Sequence, residues 1–166
     1  DFEGEGEVTK SGDGTLFNNK LVSVHDDLVN EAQLEFTILS SIEPFADFLQ
    51  DEYVLCRQVP ISPFKPSEMD RADICLYSLS NPIKNGTIPN VIIELKKDVG
   101  NKAAYEQVER YLKWVKNITN PEEYAKVKAY IIAPRITRIK AASVSDEYRD
   151  KIKMYSISTD SFVSLV

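Results

Sequence analysis

The chain has 166 residues, of which 43% are apolar and 28% charged, so its composition predicts one globular domain with a substantial hydrophobic core. No apolar stretch approaches the roughly 18 residues that a membrane-spanning helix needs, and no signal-peptide pattern opens the sequence. Two cysteines and one histidine exclude a disulfide scaffold, a four-cysteine zinc site and the zinc proteases that need two histidines. We therefore expect a reduced, cytoplasmic environment, in which any metal is a hard ion held mainly by oxygen atoms.

Acidic residues and glycines are concentrated at the beginning of a chain whose net charge is −6. Residues 1–14 contain five acidic residues, one lysine and four of the six glycines. Such a segment is typical of a solvated tail, so we predict a flexible acidic, glycine-rich tail or linker at 1–14 and a folded domain at 15–166. Because the first residue is not Met, we expect either a domain excised from a longer protein or a chain trimmed at its beginning.

The spacing of apolar residues along the chain predicts an α/β domain. A long helical pattern ends before Pro44, since proline cannot continue a helix, and strand-forming runs follow it. The Asn85-Gly86 pair between two of these runs favours a hairpin turn. Predicted helices occupy 27–42, 102–116 and 137–149, and predicted strands occupy 53–61, 72–79, 90–97, 126–133, 153–157 and 161–166. The order α-β-β-β-α-β, continued by a short helix and two strands, indicates a central mixed sheet flanked by helices.

Charged side chains interrupt two of the apolar strands. Alternation places Glu94 and Lys96 on one face of the 90–97 strand, opposite the apolar face of Val91, Ile93 and Leu95. Asp73 stands on the corresponding face of the 72–79 strand. If the two strands pair as a hairpin, Asp73 and Glu94 meet on one face, where two ionised carboxylates repel each other. A divalent cation would remove that repulsion, and Mg²⁺ is commonly held by one or two carboxylates, waters and phosphate oxygens.

An acid and a lysine beside such a cation are the parts of a phosphodiesterase site. Lys96 would stand next to the metal, where it can orient an attacking water and offset developing negative charge. Asp73, the twenty-residue spacer and Glu94-Leu95-Lys96 together resemble the PD-(D/E)XK nuclease superfamily. The resemblance implies a restriction-endonuclease-like core and a metal-dependent DNA endonuclease that uses Mg²⁺ or Mn²⁺.

A closer resemblance is to the nuclease domain of the NucS/EndoMS endonucleases, which act on mismatched or branched DNA. It covers about residues 27–158 in order and rests on four motifs. These are the acidic helix segment Glu31–Glu35, the hydrophobic-ELK strand, the Q-x-x-R-Y segment Gln107–Tyr111 and the I-A-P-R-I-T segment Ile132–Thr137. The resemblance also implies an upstream domain or a homodimer as the complete protein.

The superfamily pattern assigns a role to each site residue. Asp73, Glu94 and the carbonyl of Leu95 would bind the metal, Glu31 would ligate a second ion or a metal-bound water, and Gln107 would hold Lys96 or substrate. Two acids remain open as alternatives: Glu35 for the helix position, and Asp70, which we expect in a loop, for the strand position. Tyr111 and Trp114 are expected to pack in the core rather than to act chemically.

Basic residues near this site are candidate contacts for DNA phosphates, which arginine and lysine bind. The candidates are Lys97, Lys102, Arg110, Lys113, Arg135 and Arg138. No segment has the features of a sequence-reading helix, so we expect any specificity to concern DNA structure, such as mismatched, branched or single-stranded DNA. Two alternatives stay open: the nuclease domain of a Shedu-like defence effector, and a non-catalytic nucleic-acid-binding module with a nuclease fold. Repair and defence pathways are equally compatible with the sequence.

Overall fold

A computed structural model describes residues 31–40, 42–46, 49, 52–64, 69–139 and 143–157, and the backbone of 162–165. The predicted tail at 1–14 and the predicted beginning of the first helix at 27–30 lie outside the described residues. The helices are α1 Glu31–Ser40, α2 Glu43–Ala46, α3 Lys102–Ile118, α4 Pro121–Ala125 and α5 Asp146–Arg149. The strands are β1 Tyr53–Ser62, β2 Asp70–Ser78, β3 Val91–Leu95, β4 Val99–Gly100, β5 Lys128–Ala133, β6 Arg135–Ile136, β7 Ile152–Ile157 and β8 Phe162–Leu165.

The main sheet is mixed and has six strands in the order β1-β2-β3-β5-β7-β8. Strands β1, β2 and β3 are antiparallel neighbours, β3, β5 and β7 run parallel, and β8 returns antiparallel to β7. The crossover from β3 to the parallel strand β5 passes through α3, as a parallel connection requires. The α/β class, the mixed sheet flanked by helices and the order α-β-β-β-α-β are therefore confirmed.

Each face of the sheet carries its own apolar core. One core joins α1 and α2 to Ile74, Leu76, Val91, Ile93 and Leu95, which is the apolar face that the alternation predicts. The other core joins α3 to residues of the opposite face, including Cys75 and Ile92. Because both faces are covered, all five residues of β3 are buried. A charged side chain in the middle of this strand consequently lies between packed layers.

Helix α3 has strong local signals at both of its ends. The side chain of Asn101 accepts a hydrogen bond from the backbone of Ala104 and caps the first turn. The helix ends at Ile118, and Asn120 and Glu123 then form a capping box around Pro121. The Asn-Pro pair thus ends one helix and also begins the short helix α4, which the sequence reasoning did not predict.

Several predicted boundaries are wrong. Asp70 is the first residue of β2 rather than part of a loop, because β1 continues to Ser62 and pairs with it across an irregular register. Of the predicted helix at 137–149, the structure describes α5 as α-helical, while residues 140–142 lie outside the described residues. Before α5, the chain after Ala133 pairs as β6 with β4, and the backbone of Thr137 donates to Gly100. The predicted strand 90–97 ends at Leu95. No helix in the described part of the chain is long and apolar enough to cross a membrane.

Candidate active site

Four side chains, from β3, from Lys96 directly after it and from α3, form a closed ring of hydrogen bonds, which we call the acid-lysine ring. The Lys96 ammonium donates to Oε1 of Glu94 over 2.7 Å and to Oε1 of Gln107 over 3.0 Å. The Gln107 amide donates to the Tyr111 hydroxyl over 2.6 Å, and that hydroxyl donates to Oε2 of Glu94 over 2.9 Å. Every donor in the ring faces an acceptor. The orientation of Lys96 is fixed from two sides, by Glu94 and by Gln107.

Asp73 lies next to this ring. The β2–β3 register pairs Ile74 with Ile93, which are the direct chain neighbours of Asp73 and Glu94, and the charge of Asp73 acts on Glu94. The backbone of Leu95 donates to Oδ2 of Asp73 over 2.7 Å, and the Gln58 amide donates to Oδ1 over 2.9 Å. The two carboxylates that the alternation brings together in the sequence are therefore close in space.

Burial raises the pKa of both carboxyl groups, and for Glu94 the charge of Asp73 adds to the shift. Glu94 is only 2% exposed, and its burial, followed by the charge of Asp73, raises its pKa from 4.5 to about 7 despite the hydrogen bonds from Lys96 and Tyr111. Burial also raises the pKa of Asp73, while the hydrogen bonds from Leu95 and Gln58 oppose that shift. Ionising both acids in this buried site therefore costs free energy, which a bound cation would offset.

The donor set of this site fits a hard divalent cation. It consists of carboxylate oxygens from neighbouring strands, which suit Mg²⁺ or Mn²⁺, and it contains no thiolate or imidazole. Leu95, whose carbonyl the superfamily pattern adds to the set, is the last residue of β3 and lies between Glu94 and Lys96. Within the described residues, no three His, Cys, Asp or Glu side chains come together at metal-binding spacing. Most of the coordination would therefore come from water, the carbonyl and substrate oxygens.

Glu31 lies near this group but makes no hydrogen bond to it. It is the first residue of α1 and largely exposed, and its pKa is raised by partial burial and by the charge of Asp73, with Lys96 opposing. The alternative acid, Glu35, is held instead by the Arg57 guanidinium at 2.6 and 2.9 Å. Of the two helix acids, Glu31 is the one without this arginine pair.

The alternative strand acid, Asp70, binds an arginine. Its buried carboxylate accepts two hydrogen bonds from Arg110 of α3, at 3.0 and 3.2 Å. This ion pair joins β2 to α3 beside the acid-lysine ring. It also engages Arg110, one of the candidate DNA contacts, in a structural interaction.

The other candidate DNA contacts fall into two groups. Lys102 forms an exposed ion pair with Glu106 one helical turn away, and Lys113 lies over the ring of Phe64, with 5.3 Å between its ammonium and the ring centroid. Lys97, Arg135 and Arg138 are exposed. Pairing of β4 with β6 brings Val99 opposite Arg135, and Lys97 is two residues before Val99. Lys97 and Arg135 thus lie at the end of β3 that carries Lys96.

Sequence reasoning missed the parts played by Tyr111 and Gln58. Tyr111 is fully buried, as expected of a packing residue, but its hydroxyl also contacts Glu94, Gln107 and the carbonyl of Arg71. The four-residue spacing between Gln107 and Tyr111 was the available signal, because it places both on one helix face. Gln58 carries no such signal, since its contact with Asp73 depends on the pairing of β1 with β2.

Comparison with known proteins yields a structural likeness of low identity. No protein-family model matches the sequence, and no curated protein matches it. The fold is similar to that of a repair endonuclease from Pyrococcus abyssi, with 20% sequence identity and a TM-score of 0.44. The similarity covers 78% of this chain and 48% of that one, so the chain spans about half the length of the solved protein.

Proposed function

We propose that this domain is an Mg²⁺- or Mn²⁺-dependent DNA endonuclease that hydrolyses phosphodiester bonds with PD-(D/E)XK chemistry. The observation that carries the proposal is the acid-lysine ring next to Asp73. Burying Glu94 beside a second acid costs free energy, even with Lys96 hydrogen-bonded to it. Groups whose pKa is shifted in this way are concentrated at functional sites.

The chain's own residues divide the chemistry between them. When bound, a divalent cation would supply Lewis acidity at a phosphate oxygen and a more acidic water, and Asp73, Glu94 and the Leu95 carbonyl would hold it, with Glu31 beside them. The ammonium of Lys96 orients the attacking water and offsets charge on the phosphorane-like transition state. Gln107 restricts Lys96 to the geometry in which it also contacts Glu94.

DNA is the proposed substrate because two exposed cations, Lys97 and Arg135, lie at the same end of β3 as the ring. Lys97, Lys113, Arg135 and Arg138 would contact phosphates, which gives affinity without sequence information. We further propose that the enzyme is directed by DNA structure, so that mismatched, branched or single-stranded DNA is preferred over regular duplex.

The experiment is cleavage of end-labelled single-stranded, duplex, mismatched and forked DNA with Mg²⁺, Mn²⁺ or EDTA. Wild type should cut with metal and not with EDTA, and Lys96→Ala should lose cleavage by at least ~10²-fold while remaining folded, since it removes the group that orients the nucleophile. Lys84→Ala, in the exposed turn at the far end of β2 and β3, is the matched control and should cut normally. Full activity of Lys96→Ala would contradict the assignment. A wild type that binds DNA and cuts no substrate would support a non-catalytic module, and the preferred substrate would separate repair-like from defence-like nucleases.

A further inference from the structure

One residue of β1 has a backbone conformation that its side chain does not favour. Gln58 has φ = 51°, in the left-handed region that glycine tolerates and other residues seldom adopt. Among the described residues, the other non-glycine residues with positive φ are Lys84 and Asn85, both in the turn between β2 and β3. Gln58 is in the middle of a strand, where an extended backbone is the rule. Conformations of this kind persist where the surroundings impose them, and they are concentrated at functional sites.

The register shows what this backbone conformation achieves. The β1–β2 ladder pairs Arg57 with Ile74 and Val59 with Ala72, which leaves Gln58 opposite Asp73 in the interval between those pairs. From there the amide of Gln58 donates to Oδ1 of Asp73 over 2.9 Å. The Leu95 backbone on the other neighbouring strand donates to Oδ2 over 2.7 Å. The carboxylate of Asp73 is therefore held from both sides, once by each strand that flanks β2.

We propose that Gln58 is a positioning residue that fixes the Asp73 carboxylate for metal binding; this inference rests on the proposed function. A carboxylate oxygen has more than one acceptor position, so a single hydrogen bond to each oxygen leaves capacity for a cation. An amide donor is neutral and orients the carboxylate without cancelling its charge, as an arginine or lysine in its place would. Glycine would suit the backbone of residue 58 better but would leave Oδ1 without this donor.

Residue 58 has two separate properties, the amide donor and the left-handed backbone, and different substitutions test each of them. Gln58→Met keeps the length of the side chain and removes the donor, whereas Gln58→Gly removes the donor and also relieves the backbone. Val54→Gly is the matched control, because Val54 is an exposed residue of the same strand whose φ is not positive. Two quantities are measured for each protein: the Mn²⁺ dissociation constant by calorimetry, and the melting temperature in EDTA.

We expect both Gln58 variants to bind Mn²⁺ about 10-fold more weakly than wild type, which is the usual size of the effect when a residue that orients a metal ligand is lost. In EDTA, Gln58→Gly should melt at a higher temperature than Gln58→Met, because both variants lack the donor to Asp73 and only glycine relieves the backbone. Val54→Gly should melt a few degrees below wild type and bind Mn²⁺ normally. The cleavage rate of Gln58→Met should recover at saturating Mn²⁺, because the variant loses affinity and keeps Lys96.

The outcomes distinguish this inference from the proposed function. If wild type binds no Mn²⁺, the proposed metal-dependent function fails. If wild type binds Mn²⁺ and Gln58→Met binds it equally well, the function stands and the role of Gln58 is wrong. If Gln58→Gly melts no higher than Gln58→Met in EDTA, the left-handed backbone at residue 58 is not strained, and that part of the inference is overturned.

Discussion

The hydroxyl of Tyr111 donates to Oε2 of Glu94 over 2.9 Å and so connects helix α3 to the buried acid of β3. The same hydroxyl accepts a hydrogen bond from Gln107, whose carbonyl oxygen in turn accepts one from Lys96. Through these contacts, the position of α3 on the sheet determines the geometry around Glu94. The packing of α3 against the sheet and the arrangement of the proposed catalytic groups are therefore coupled.

Tyr111→Phe should destabilise the protein, because it removes the hydrogen-bond partner of Oε2 of the buried Glu94 and of the Gln107 amide nitrogen. We expect a loss of about 1–3 kcal/mol in the free energy of unfolding, measured by urea denaturation in EDTA. Tyr105→Phe on the same helix is the matched control. Its buried hydroxyl has no hydrogen-bond partner among the described residues, so its removal should be neutral or stabilising. Equal changes in the free energy of unfolding for the two substitutions would show that the hydrogen bonds of the Tyr111 hydroxyl do not stabilise the protein.

The raised pKa of Glu94 predicts a pH-dependent stability in the absence of metal. Between pH 4.5 and about 7 the folded state keeps the Glu94 proton while the unfolded state has released it, so the free energy of unfolding falls as the pH rises through this window. Above about pH 7 the free energy of unfolding has fallen by its full amount, about 3 kcal/mol for a pKa shift of this size. Glu94→Gln should therefore gain stability relative to wild type between pH 5 and pH 8, as measured by urea denaturation in EDTA.

Glu122→Gln, at an exposed position at the start of α4, controls for the removal of one negative charge. Its stability relative to wild type should not grow with pH in this window as that of Glu94→Gln does. Addition of Mn²⁺ should stabilise wild type at pH 8 and leave Glu94→Gln nearly unaffected, because a ligand stabilises only the state that binds it. Parallel pH profiles of wild type and Glu94→Gln would show that burial of this acid costs little.

The central part of the fold and of the site could be predicted from the sequence because it depends on alternation. The strict period of two in β3 places Glu94 and Lys96 on one face, and the Asn85-Gly86 signal implies the antiparallel pairing that brings Asp73 to them. These inferences need only neighbouring residues and one hairpin. The strong caps and apolar stripe of α3 likewise specify its position locally.

The remaining features depend on contacts between distant parts of the chain. The pairing of Asp70 with Arg110 joins residues forty positions apart, and nothing in the two-proline segment before Asp70 indicates that a strand begins there. The left-handed backbone of Gln58 is imposed by its neighbours, since its residue type disfavours that conformation. The short β4–β6 pair similarly displaced the predicted helix at 137–149. In each of these places tertiary contacts override local preference.

Replacing Asp70 or Asp73 of β2 by asparagine should change metal binding and stability in different ways. Asp73→Asn should abolish measurable Mn²⁺ binding in calorimetry and leave stability in EDTA unchanged or higher, because the pKa of Asp73 is raised by burial and the variant removes that charge. Asp70→Asn should bind Mn²⁺ as wild type does and lose about 1–3 kcal/mol of stability, since it breaks the hydrogen-bonded pair with Arg110. The reverse pattern would make Asp70 the strand ligand, and loss of binding in both variants would place both acids at the metal.

Lys97 and Arg135 should contribute to DNA affinity through phosphate contacts alone. Alanine at either position should weaken binding to all sequences alike and reduce the slope of log affinity against log salt by about 1. The measurement is fluorescence anisotropy of labelled oligonucleotides over a salt series, with Lys96→Ala as the background so that no substrate is cut. Lys84→Ala in the same background removes one exposed lysine at the opposite end of β3 and should leave the slope unchanged. If Lys84→Ala lowers the slope as much as the other two substitutions, the effect comes from net charge, and DNA does not bind preferentially at the end of β3 that carries Lys96.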